Sequence, residues 1–112
     1  MRYQPKRSRK QWLIGAPEYV LACYDNGGKT ADRYTVLIGG SLYEPGLAAK
    51  RAVECLCMSA YPVCPLGFSQ WGEMLSANRA ACGKHVKWND LPENIRKHVI
   101  ARCEETAKAV AA

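Results

Sequence analysis

Apolar positions fall into two runs around a dense polar segment between residues 19 and 40. Tyr19, Val20, Leu21 and Ala22 enter that segment, and Tyr34, Val36 and Ile38, alternating with Thr35 and Leu37, leave it. Period-two alternation in aromatic and β-branched residues predicts β-strands over 18–24 and 33–39. Leu37 makes both faces of the second strand apolar, which predicts a central position in a sheet. Between the strands, Asp25-Asn26-Gly27-Gly28 reads as a turn, because Gly and to a lesser degree Asn tolerate positive φ. Residues 29–32 prolong it beyond a minimal hairpin.

Further along, residues 53–58 place Val53, Cys55 and Cys57 on one face and Glu54, Leu56 and Met58 on the other. The helix formers before them (Ala48, Ala49, Lys50, Arg51, Ala52) leave periodicity undecided. The bounding Pro62 and Pro65 favour a third strand. Residues 59–73 read as an ordered irregular loop pinned by Tyr61, Phe68 and Trp71. Residues 74–81 read as one or two helical turns ended by Gly83, and 85–88 as a short extended piece. The last element is the clearest. Asp90 suits an N-cap, Glu93 stands three positions on, and Pro92 falls in the first turn. Leu91, Ile95, Val99, Cys103 and Ala107 recur every four residues, which predicts an amphipathic helix of about five turns. The expected architecture is α+β: a small antiparallel sheet of about three strands covered by a long C-terminal helix.

At 112 residues there is room for one core, so residues 12–112 are expected to form one domain behind a flexible basic arm, 1–11. The net charge of +6 lies mostly in that arm. Arg2, Lys6, Arg7, Arg9 and Lys10 stand there with no acid, while the remaining 11 basic and 10 acidic residues leave +1 for the body. Such an arm suits phosphate backbones or an acidic protein surface. No apolar stretch approaches the ~20 residues that span a bilayer, and Trp12–Ile14 is too short for a signal core. These features lead us to expect a cytoplasmic protein. The six cysteines lack paired zinc-knuckle spacing. Cys55-x-Cys57 followed by Cys64 is the nearest approach, and Cys23, Cys55, Cys57 and Cys103 sit in apolar patterns that suit small buried hydrophobes.

The polar segment is the first candidate site. Asp25, Asn26 and Asp32 offer acceptors, Arg33 a bidentate donor, and Gly27-Gly28 amides able to approach an anion. The competing reading is a turn in which an aspartate pairs with Arg33. Gly28-Lys29-Thr30 does not complete a phosphate loop, since Cys23 replaces the first glycine and no helix pattern follows. Phe68, Gln70 and Trp71 form a second candidate, as anchors for a partner or as an aromatic plug. Cys64, Cys82 or Ser69 with His85 is a conceivable nucleophile–base pair that no spacing supports. No catalytic residue, cofactor or metal is expected, and the protein reads as a non-enzyme.

Three linked segments carry a resemblance: YDNGG-KT-x-DRYTV over 24–36, MSAYPVCPLGFSQWGE over 58–73, and GKHVKWNDLPENIRKHV over 83–99. In their order they resemble a group of small bacterial and bacteriophage proteins with the series YDNGG, DRYTV, MS-x-x-P with G-F-x-Q-x-GE, and GK followed by an aromatic and LP. The resemblance spans roughly 19–100 and omits the arm. Cys64 departs from it, since group members often carry histidine before the proline. The resemblance brings no activity, but implies a phage or mobile-element context. The expected function is therefore docking on a host protein or nucleoprotein complex, as anti-CRISPR or other anti-defence inhibitors do. Alternatives are a nucleic-acid-binding accessory protein using the arm, and a small nucleotide-ligand binder or enzyme.

Overall fold

In the computed structural model, which describes residues 11–39, 42, 52–64, 67, 69–73 and 83–111, the two runs flanking the polar segment form strands β1 (Val20–Asp25) and β2 (Tyr34–Gly39). They pair antiparallel from Asp25↔Tyr34 to Val20↔Ile38, with a register shift between Val20 and Ala22. That irregularity lets Val20 and Cys23 join one core cluster while Ala22 and Tyr24 join another, because an extra residue resets which face later side chains occupy. The third alternating segment is strand β3 (Ala52–Met58), paired antiparallel with β2. Tertiary pairing thus decides what periodicity left open.

The sheet is larger than expected. Strand β4 (Ser69–Glu73) pairs with β3, and strand β5 (Lys84–Val86) returns to pair with β1. The described residues therefore form five antiparallel strands in the order β4-β3-β2-β1-β5, which corrects the expectation of about three. It also corrects the reading of 59–73 as loop throughout, since its last third is edge strand. Ser-Gln-Trp-Gly-Glu has little intrinsic strand propensity. Its conformation comes from the β3 ladder, where Trp71 stands opposite Leu56.

Trp88–Asp90 forms a single 3-10 turn, and the Asp90 carboxylate accepts from the backbone N–H of Lys87 at 3.1 Å. Asp90 therefore closes the 3-10 turn and does not cap the long helix. Helix α1 (Glu93–Ala111) begins just after Pro92, whose carbonyl accepts from Ile95 and Arg96 N–H. Ile95, Val99 and Cys103 are fully buried against Val20, Val36, Ile38, Leu56 and Met58. Burial of each large apolar side chain contributes about 1.5–3 kcal/mol, which holds helix on sheet. The outer side of α1 carries exposed charge, including a Glu93–Lys97 pair at 3.0 Å.

Register alternation assigns the other sheet face. Ala22, Tyr24, Thr35 and Leu37 lie there and are buried. Cys55, Cys57, Gln70 and Gly72 extend this face across β3 and β4. At its far edge His85 stacks on Trp12 at 4.2 Å and on Tyr24 at 5.2 Å between ring centroids. No described helix is long and apolar enough to cross a membrane.

Candidate functional site

Antiparallel order gathers the connections. β1 and β3 end where β2, β4 and β5 begin, so the β1–β2 turn, the β3–β4 connection and Gly83 share one end of the sheet. The start of α1 joins them, since Asn94 Nδ2 donates to the Ala60 carbonyl at 3.0 Å.

The β1–β2 turn is held by its own polar groups. Arg33 Nε donates to Asp25 Oδ1 at 2.8 Å and a terminal nitrogen to Oδ2 at 3.2 Å, a bidentate pair across the base. The Arg33 side chain is 38% exposed and that of Asp25 24%, so the pair is screened, and its value is geometric rather than a large stability term. The Arg33 hydrogen bond holds the Asp25 carboxyl below its ordinary range, aided by the Gly27 amide and opposed by burial. Arg33 also lies 5.1 Å from the Tyr34 ring centroid. Asn26 clamps the turn from inside. Its Oδ1 accepts from Gly28 and Lys29 N–H, and its Nδ2 donates to Thr30 Oγ1 and the Asp32 carbonyl. Thr30 in turn donates to the Asp32 carboxylate.

These bonds weigh the two readings of the segment. Asp25, Asn26, Asp32 and Arg33 are brought together, but chiefly with one another. The Gly27 and Gly28 amides donate to Asp25 Oδ1 and Asn26 Oδ1, both at 2.8 Å, so in this arrangement they do not present an anion cradle. What the turn offers outward is a fixed tip, exposed over residues 27–31. Beside it lies a shallow depression of about 600 Å³ lined by Asp25, Lys29, Lys84 and Asp90, with charges of both signs.

The second connection contributes apolar groups. Tyr61 is 68% exposed and Val63 82%, while the backbone beneath them is ordered by Cys64 N–H to Tyr61 O and Gly67 N–H to Cys64 O bonds. Sequence reasoning assigned Tyr61 to pinning the loop and passed over Val63. Their outward projection depends on this turn and carries no local pattern. Trp71 faces the α1 layer, half-buried against the core, so much of its ring is used internally. Gln70 is exposed beside Cys57 on the opposite face. Phe68 and the arm residues Arg2, Lys6, Arg7, Arg9 and Lys10 lie outside the described residues, as do Cys82 and the segments over 47–51 and 74–81.

The nucleophile–base pairs around His85, conceivable but unsupported by spacing, are not assembled with Cys64 or Ser69. His85 sits on one edge strand, whereas Ser69 begins the other and Cys64 lies in the connection leading to it. Ser69 meets a different histidine: its Oγ is 2.7 Å from His98 Nε2, tying α1 to β4. Burial, and then the nearby Arg102 charge, push His98 below its ordinary value.

The cysteines divide. Cys23 and Cys103 are buried, and burial pushes each thiol up to about 12. Cys55 and Cys57 are only half-buried, against the expectation that all four act as core. The Cys55 hydrogen bond brings the Cys57 thiol down to about 7, with Thr35 assisting and burial opposing. Among the described residues no group of three or more His, Cys, Asp or Glu side chains is arranged to hold a metal. No protein-family model, curated protein or solved structure matches this chain.

Proposed function

We propose that this chain is a small non-enzymatic binding protein of phage or mobile-element type. It docks on a host protein or nucleoprotein complex through the loop end of its sheet, in the manner of anti-CRISPR or other anti-defence inhibitors. The observation that supports this reading most is the juxtaposition at that end: exposed Tyr61 and Val63 on a hydrogen-bonded turn, beside a 26–33 tip fixed by the Asp25–Arg33 and Asn26 bonds. Apolar anchors on already ordered backbone lose little conformational freedom on association, so more of their contact energy remains as affinity. The basic arm supplies long-range attraction to an acidic or phosphate-bearing partner.

The test is affinity capture from host lysate followed by mass spectrometry. A Tyr61→Ala/Val63→Asp variant should keep the wild-type melting temperature and lose the captured partner. Ile14→Asp, at an exposed apolar residue outside both loops, should retain it. Full capture by the Tyr61/Val63 variant would refute the reading.

A further inference from the structure

The sheet face opposite α1 carries two thiols on one strand. Cys55 and Cys57 sit on the same side of β3, and their sulfurs are 3.8 Å apart without a disulfide. We propose that Cys55 and Cys57 form a bidentate dithiolate site for a thiophilic d10 metal cation of the zinc–cadmium class. This stands apart from the docking proposal and uses none of its residues.

Geometry separates metal binding from the obvious competitor, an internal disulfide. An extended strand advances about 3.3 Å per residue, so i and i+2 Cα atoms stand about 6.6 Å apart. That lies near the upper limit for disulfides, whose sulfurs must also close to about 2.05 Å. β3 cannot easily contract, because β2 and β4 hydrogen-bond to it on both sides. With metal–thiolate bonds of about 2.3 Å, in contrast, sulfurs 3.8 Å apart subtend about 110° at the metal, the tetrahedral angle. The strand spacing thus disfavours closure to a disulfide and sets the sulfurs at a spacing suited to chelation.

The surroundings fit. Gly72, opposite Cys55 on β4, has no side chain, and a Cβ there would lie 3.4 Å from the Cys55 sulfur. The Cys55 sulfur also lies 3.6 Å from the Gly72 carbonyl oxygen, a weak contact that yields to a metal–sulfur bond. Binding releases the two thiol protons to solvent as two metal–sulfur bonds form, and water completes the shell. The spacing also explains why the site escapes a motif search. Knuckles with two to four intervening residues belong to turns, whereas on a strand a single intervening residue puts both ligands on one face.

The full reduced chain, freed of reductant, is titrated with cadmium chloride. We expect a thiolate-to-cadmium charge-transfer band that levels at one equivalent. Cys55→Ser and Cys57→Ser should each weaken cadmium binding at least ~10-fold, and a Cys64→Ser/Cys82→Ser variant should retain the band. A band that survives in Cys57→Ser, or disappears in the Cys64/Cys82 variant, overturns the proposal. Alkylation mapping on the unmutated chain guards against misfolding of a variant: cadmium should protect Cys55 and Cys57 from iodoacetamide, and equal labelling with and without cadmium overturns the site.

Discussion

Gly83→Ala should be far more damaging than its exposed position suggests. Gly83 has φ +92° and sits against the β1–β2 turn, where an added Cβ would lie 2.5 Å from the Asp25 carbonyl oxygen and closer still to Asn26 Cα. Ordinary contact separations are about 3.5 Å, so the backbones must part by about 1 Å. The left-handed conformation costs an alanine about 1–2 kcal/mol. Retreat of the chain also breaks ladder bonds where Lys84 pairs with Asp25, at about 0.5–1.5 kcal/mol each. Reduced freedom of the unfolded chain offsets about 0.4–1 kcal/mol. The net expectation is a loss of about 2–4 kcal/mol. Gly27→Ala is the internal control. Its φ is +76°, but nothing lies within 4 Å of the added carbon, so only the conformational part remains, about 0.5–1 kcal/mol after the same offset. At about 4 °C per kcal/mol, thermal melts should show falls of about 8–16 °C and about 2–4 °C respectively. Equal melting temperatures for the two variants would refute the claim that Gly83 is fixed by close backbone approach.

Other predictions concern titration and the turn. The burial-depressed pKa of His98 means that the folded state disfavours its charge. That contribution to stability is present above the unfolded value near 6.5 and is lost as pH falls through the folded one. His98→Gln should remove this slope from melts recorded between pH 7.5 and 5.5. Iodoacetamide should label Cys57 with a pH midpoint near 7, and Cys55→Ala should move that midpoint up toward the ordinary thiol range. Asn26→Ala removes four hydrogen bonds from the turn and should cost about 1–3 kcal/mol, with faster amide exchange at Gly28 and Lys29. Deleting residues 2–10 removes five positive charges and no acid, so any gel shift given by the intact chain should weaken and lose salt dependence. An unchanged shift would discard the arm as its cause.

What could be read in advance divides along a physical line. β1, β2 and α1 each carry their own periodic signal, strong enough to survive without knowledge of neighbours, whereas the alternation of β3 is shared with helix formers before it and is settled by pairing with β2. β4 and β5 do not. Ser69–Glu73 contains a glycine and one large apolar residue, and Lys84–Val86 is only three residues long, so their partners define them. Asp90 looked like a helix cap because its side chain and spacing fit, yet a 3-10 turn placed before Pro92 used it first. In the candidate site, the Asp25–Arg33 pair was legible as a possibility because both residues flank one turn. The Ser69–His98 contact joins positions 29 apart, and the outward projection of Val63 follows from backbone bonds that no composition reveals. The shared face of Cys55 and Cys57 was legible from alternation, whereas their partial exposure was not.

The return of β5 to β1 also orders the events of folding. β1 through β4 follow one another as neighbours, so each pairing closes a chain segment between consecutive strands. β5 instead meets β1 across residues 26–83, a closure that costs about 2 kcal/mol more chain entropy than the 26–33 connection. A meander with Val36, Ile38, Leu56 and Met58 still uncovered should therefore precede docking of β5 and α1. The three-residue strand that follows Gly83 and pairs with β1 acts as the latch of the fold, formed late in assembly and released early in unfolding.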